Sequence, residues 1–111
     1  MRDDRIRLLD ILEAIERIER YSGVEKEVFE RDELIQTWMV YSIQIIGEAV
    51  AQLSEEFRAG HPDVPWHAIS SMRNAIVHAY FRVSLDEVWS VVQNDLPDLK
   101  ARIQAILEEV P

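Results

Sequence analysis

Apolar residues recur at spacings of three and four between Arg5 and Tyr21, at Leu8, Ile11, Leu12, Ile15 and Ile18, while Glu13, Glu16, Arg17, Glu19 and Arg20 fill the other face. The pattern predicts a surface helix with one buried stripe. Ser22-Gly23 is expected to end it, glycine being the usual residue just past a helix terminus. Val24 to Arg31 is short and acidic with Val28 and Phe29 as its anchors, which predicts a connector with a turn of helix. Asp32 is placed to N-cap the longest helix, running to about Arg58 with Ile35, Trp38, Met39, Ser42, Ile45, Ile46, Ala49, Val50, Leu53 and Phe57 turned inward. So broad a face calls for more than one packing neighbour. Gly47 within it, about 1 kcal/mol less favourable than alanine in a helix, fits a close backbone approach.

Ala59-Gly60-His61-Pro62-Asp63-Val64-Pro65 cannot sustain a helix, and Pro65 suits the first position of the next one. In that helix Trp66, Ile69, Met72, Ile76 and Val77 supply core contacts. His61 and His67 have no carboxylate pair at metal-ligand spacing and read as surface or capping histidines. Ser84 with Glu87 forms a capping box, which makes Tyr80 to Val83 a tight turn and puts the end of the preceding helix at a corner. Leu85, Val88, Trp89, Val92, Leu96, Leu99, Ile103, Ile106 and Leu107 carry the last helical stretch, with Pro97 breaking or kinking it into two. No strand pattern or internal repeat interrupts this series. The expected fold is all-α, an antiparallel up-and-down bundle of four to five helices in a single domain, 1–111.

At 111 residues the chain can build one core, and oligomerisation would help to stabilise it. There is no cysteine, so disulfides and thiolate metal sites are excluded. Met1-Arg2-Asp3-Asp4-Arg5 runs straight into an amphipathic pattern rather than a signal-peptide core, and no apolar run approaches the roughly 20 residues that span a bilayer. The expectation is a soluble, cytoplasmic protein without a membrane partner. A net charge of −9 argues against sequence-independent coating of nucleic acid, and DNA is not an expected partner. Ten of the twelve basic residues are arginine, which favours a few directional phosphate contacts.

The chemistry is concentrated in Met72-Arg73-Asn74-Ala75-Ile76-Val77-His78-Ala79-Tyr80-Phe81, an otherwise apolar segment. At about 100° per residue, Asn74 and His78 share one helical stripe and Arg73 and Tyr80 share another, roughly 100° away. Arg73 and His78, about 140° apart, meet on one ligand if it is large, if the helix ends near His78, or if a second copy closes the gap.

Arg73-Asn74-x3-His78-x-Tyr80 resembles the Arg-x4-His-x-Tyr signature of HEPN-domain ribonucleases, and within them the HepT-type toxins. The resemblance extends through Ile45-Ile46-Gly47-Glu48-Ala49, His61-Pro62-Asp63-Val64-Pro65-Trp66 and Asp95-Leu96-Pro97-Asp98-Leu99. It implies a metal-independent endoribonuclease without cofactor, acting on RNA (tRNA or mRNA) as the toxin of a type VII-like toxin–antitoxin pair. Arg73 and His78 would be catalytic in a cleft composed by a homodimer, with Asn74 in support. Glu48 reads either as a solvated or locally paired carboxylate or as a group orienting Arg73 from the facing helix. Tyr80 is either structural or, as the resemblance implies, the acceptor of AMP transferred from ATP by a cognate MntA-type nucleotidyltransferase antitoxin. The acidity suits a second reading, a catalytically weak HEPN module that binds nucleotide or partners such a nucleotidyltransferase.

Overall fold

A computed structural model describes residues 2–77 and 85–109, with backbone alone at 2 and 73–77. All regular structure among these residues is helical: α1 (Arg2–Glu19), α2 (Lys26–Arg31), α3 (Glu33–Gln52), α4 (Glu55–Gly60), α5 (Trp66–Val77), α6 (Leu85–Ser90), a π-helical turn (Val91–Asp95) and α7 (Leu96–Glu109). The expected all-α bundle is the observed class.

Helix α1 buries Leu8, Ile11, Ala14, Ile15 and Ile18. It runs antiparallel to α3: Trp38 near the start of α3 donates its indole N–H to the Arg17 carbonyl at 3.0 Å, and Asp4 at the start of α1 meets Ser54 just beyond the end of α3. The close of α1 differs from expectation. No described glycine has positive φ, so Gly23 is not a left-handed cap. The last carbonyls instead accept from Tyr21 N–H (on Ile18, 3.0 Å), the Ser22 hydroxyl (on Glu19, 3.3 Å) and Trp38. Short as α2 is, its Phe29 is fully buried, with its ring 5.3 Å from that of Trp89.

Asp32 caps α3 as expected, its carboxylate accepting from the backbone N–H of Leu34 at 3.0 Å and Ile35 at 3.1 Å. Ile43 joins the inward set, because α3 packs against α1 on one side and α5 on another. The expected run to Arg58 is interrupted. Helix α3 stops at Gln52, Leu53 turns extended, and Ser54 caps α4 by accepting from Phe57 N–H at 3.1 Å. The Asp4 carboxylate holds this corner, accepting from the Ser54 backbone N–H and hydroxyl, each at 2.8 Å. Leu53 and Phe57 stay buried across the break, so the apolar rhythm carries no trace of it.

Pro65 immediately precedes α5, its carbonyl accepting from Ile69 N–H at 3.0 Å, one place before its expected position. Beyond Leu85 the chain stays helical through the Pro97 region and widens before it. Leu96 N–H reaches back to the Val91 carbonyl, five residues earlier, just ahead of a residue that has no N–H to give. Val88, Val91, Val92, Leu96, Leu99, Ile103 and Ile106 stay on the core. Gln93 donates to the Ser22 carbonyl at 2.8 Å and Lys100 to Glu19 at 2.7 Å, tying this last element to α1. That hydrogen bond and the nearby Glu19 charge raise the Lys100 pKa. No described helix is long and apolar enough to cross a membrane.

Candidate active site

The helix carrying the motif is launched from a pinned loop. Trp66 is buried, donates its indole N–H to the His61 carbonyl at 3.0 Å, and lies 5.9 Å, ring to ring, from Phe57. His61 follows α4 with Nδ1 3.0 Å from the Phe57 carbonyl and its ring 4.5 Å from the Phe57 ring. This histidine is a capping group, and His67 is exposed. From α7 the Arg102 guanidinium donates to the Asp63 carbonyl. Helix α5 therefore starts at the C-terminal end of α3 and packs back along it.

The helical backbone of α5 includes Arg73 and Asn74 and continues to Val77, so the two fall on neighbouring stripes about 100° apart. His78 and Tyr80 lie outside the described residues, as do the expected turn over 80–83 and the Ser84 cap. The chain is described again from Leu85. That residue lines a hollow of about 350 Å³ with Gln36, Thr37, Val40, Tyr41 and Gln44 of α3. The chain thus returns at Leu85 to the flank of α3. Tyr41 and Gln44 were not singled out in the sequence reading; the available signal was that both fall off the inward stripe of α3.

Glu48 is exposed and lines a cleft of about 290 Å³ between α1 and α3, with Arg7, Asp10, Glu13 and Arg17 among its walls. Arg17 is paired with Glu13 at 2.6 Å. The described surroundings of Glu48 are local charges on α1 and α3, and the Arg73 side chain, which its other reading involves, lies outside the described residues.

The profile of the family described as "Ribonuclease HepT-like" matches residues 11–106, almost the whole described structure. The chain belongs to this family. With it comes the class of enzyme expected from the motif, a ribonuclease that cuts RNA. Curated relatives agree. A Thermococcus cleftensis protein named "Probable ribonuclease HepT" is 36% identical over 100 residues, covering 89% of this chain and 91% of the relative. A "Putative RNase" of Caldanaerobacter subterraneus subsp. tengcongensis is 38% identical over 92 residues, covering 83% and 82%. A Methanocaldococcus jannaschii protein named "Gamma-glutamylcyclotransferase and putative RNase" is 39% identical over 110 residues; 98% of this chain matches, but that is only 50% of the relative. No solved structure matches the HepT-like chain.

Proposed function

We propose that this HepT-like chain is the toxin of a toxin–antitoxin pair, a metal-independent endoribonuclease in which Arg73 and His78 carry the reaction. The observation that supports this most is the full Arg73-Asn74-x3-His78-x-Tyr80 pattern, begun on the last turns of α5 in a chain matched from 11 to 106 by the family profile. In this reading the His78 imidazole moves protons between the 2′-hydroxyl, which attacks the adjacent phosphorus, and the leaving 5′-oxygen. Arg73 stabilises the charge that builds on the phosphorane. The products are a 2′,3′-cyclic phosphate and a free 5′-hydroxyl.

Asn74 holds the imidazole tautomer or contacts phosphate, and Glu48 supports the site by orienting Arg73 from the facing helix. One histidine must serve as both base and acid, or two copies must share the work. A two-fold dimer with the motif helices near its axis supplies two histidines and two arginines to one cleft. Control comes from the cognate nucleotidyltransferase: the Tyr80 phenol attacks the α-phosphate of ATP, pyrophosphate leaves, and the AMP left on Tyr80 sets a negative phosphate against Arg73. The test is purified protein incubated with total RNA and with tRNA in EDTA. Cleavage lost in both Arg73→Ala and His78→Ala supports the site, and undiminished cleavage in both excludes it.

The net charge of −9 favours a second reading, a weakly catalytic HEPN module whose main task is to bind the nucleotidyltransferase. Under it the wild-type protein leaves RNA intact and still forms the complex.

A further inference from the structure

The hollow beside Leu85 differs chemically from the other sizeable hollows on the described surface. Asp95 and Asp98 stand in the groove between α5 and α7, Asp10, Glu13 and Glu48 in the α1–α3 cleft, and Asp32 and Glu33 beside Leu34. The described lining of the Leu85 hollow is Gln36, Thr37, Val40, Tyr41, Gln44 and Leu85, with no carboxylate, in a chain of net charge −9. No carboxylate of this described lining repels a polyanion.

Its chemistry also suits a flat, polar-edged ring. Tyr41 is 53% exposed, an aromatic face left open to solvent. Val40 and Leu85 give an apolar floor. Gln36 is fixed by its amide N–H on the Phe29 carbonyl at 2.9 Å, whereas Thr37, Tyr41 and Gln44 have no side-chain hydrogen-bond partner among the described residues. At about 350 Å³ the hollow lies in the range of small-molecule sites, roughly 300–1,000 Å³. Leu85, part of its wall, is the first described residue after the segment that contains His78.

We infer that this hollow is a subsite for one unstacked RNA base next to the scissile phosphate, with the base against the Tyr41 ring and its edge met by Gln44 and Thr37. Proteins that grip single-stranded RNA use aromatic faces for stacking and side-chain amides for base edges in this way. The inference rests on the ribonuclease reading and deepens it: Arg73 and His78 act on phosphate, and the α3 hollow determines which nucleotide lies beside it.

The test uses the full chain and a fluorescently labelled single-stranded oligoribonucleotide, with binding followed on the His78→Ala protein and cleavage on the His78 protein. Tyr41→Ala should weaken binding and raise KM by about 5- to 100-fold with kcat little changed, and Tyr41→Phe should restore both. Gln44→Ala should alter the base preference beside the cleavage position. Equal binding and KM for wild type and Tyr41→Ala overturns the subsite. So does a Tyr41→Ala defect confined to oligomeric mass, which would make the ring a contact between protein copies. A wild-type protein that binds the oligonucleotide through Tyr41 but cuts no RNA supports the subsite and overturns the ribonuclease reading.

Discussion

Asp4 and Ser54, fifty residues apart, share two hydrogen bonds of 2.8 Å, one to the backbone N–H and one to the hydroxyl of the serine that caps α4. Asp4 is only 6% exposed. Removing its carboxylate loosens the corner where α3 gives way to α4. Asp4→Ala should lower stability by about 1–3 kcal/mol in chemical denaturation, since hydrogen bonds to a charged acceptor lie at the strong end of the range. Ser54→Ala should cost a similar amount, and the double variant less than the sum, because both substitutions break the same contact.

Lys100 and Glu19 give a pH signature. The hydrogen bond that Lys100 donates to the Glu19 carboxylate, followed by the charge of that carboxylate, keeps Lys100 protonated above its ordinary 10.5. A group whose pKa rises on folding contributes fully below its unfolded value and loses that contribution as pH climbs through the folded one. The melting-temperature gap between wild type and Lys100→Met should therefore hold steady from about pH 6 to 9 and close once pH passes 10.5. A gap that closes on acidification instead would mean that the pair is not its source.

These two contacts mark what could be read in advance. Asp32 as a cap, the stripe of α1 and the launch of α5 near Pro65 are local signals, each decided within a few residues. The stop at Gln52 is not local: Leu53 and Phe57 keep the helical apolar spacing, and only a carboxylate on α1 reveals that Ser54 is held out of the helix. The π turn was hidden for a similar reason, since Val88, Val92 and Leu96 remain at ordinary spacing while the backbone widens. At the site, the resemblance carried by Arg73, Asn74, His78 and Tyr80 suggested phosphate chemistry at Arg73 and His78. The neighbourhood of Tyr41 could not be read, because it depends on where α5 ends and where Leu85 returns to α3.

For the chemistry itself, His78→Ala and Arg73→Ala should each reduce cleavage by at least about a hundredfold, the scale of losing a proton-transfer group or an oxyanion donor. Wild-type products should carry 2′,3′-cyclic phosphate ends, read by end-group analysis. Glu48→Gln should change activity only modestly if the carboxylate belongs to the α1–α3 cleft, and its effect should vanish in an Arg73→Ala background if it acts through that arginine. Light scattering should give twice 13.0 kDa at concentrations that cleave RNA, and a mixed dimer of Arg73→Ala and His78→Ala chains should recover part of the activity.

Tyr80→Phe tests the control. Co-expression with the cognate nucleotidyltransferase should add AMP to the wild-type chain, located by intact mass and peptide mapping, and abolish cleavage. The phenylalanine variant should gain no adduct and stay active beside the same partner. Neutralisation without any adduct on Tyr80 would place inhibition in the complex alone.

Beside their local caps, three of the described helix ends are also held by side chains from distant parts of the chain. The Arg17 carbonyl waits for Trp38, the Ser22 carbonyl just past α1 for Gln93 and the Ser54 N–H for Asp4. None of the described glycines takes the left-handed conformation that would close an end from within. These ends are complete only once the neighbouring element has docked, so local order and assembly become one event there. Hydrogen exchange should accordingly show α1 and the first half of α3 opening as a unit, with end amides protected nearly as long as central ones, and a peptide of α1 alone should fray from both ends.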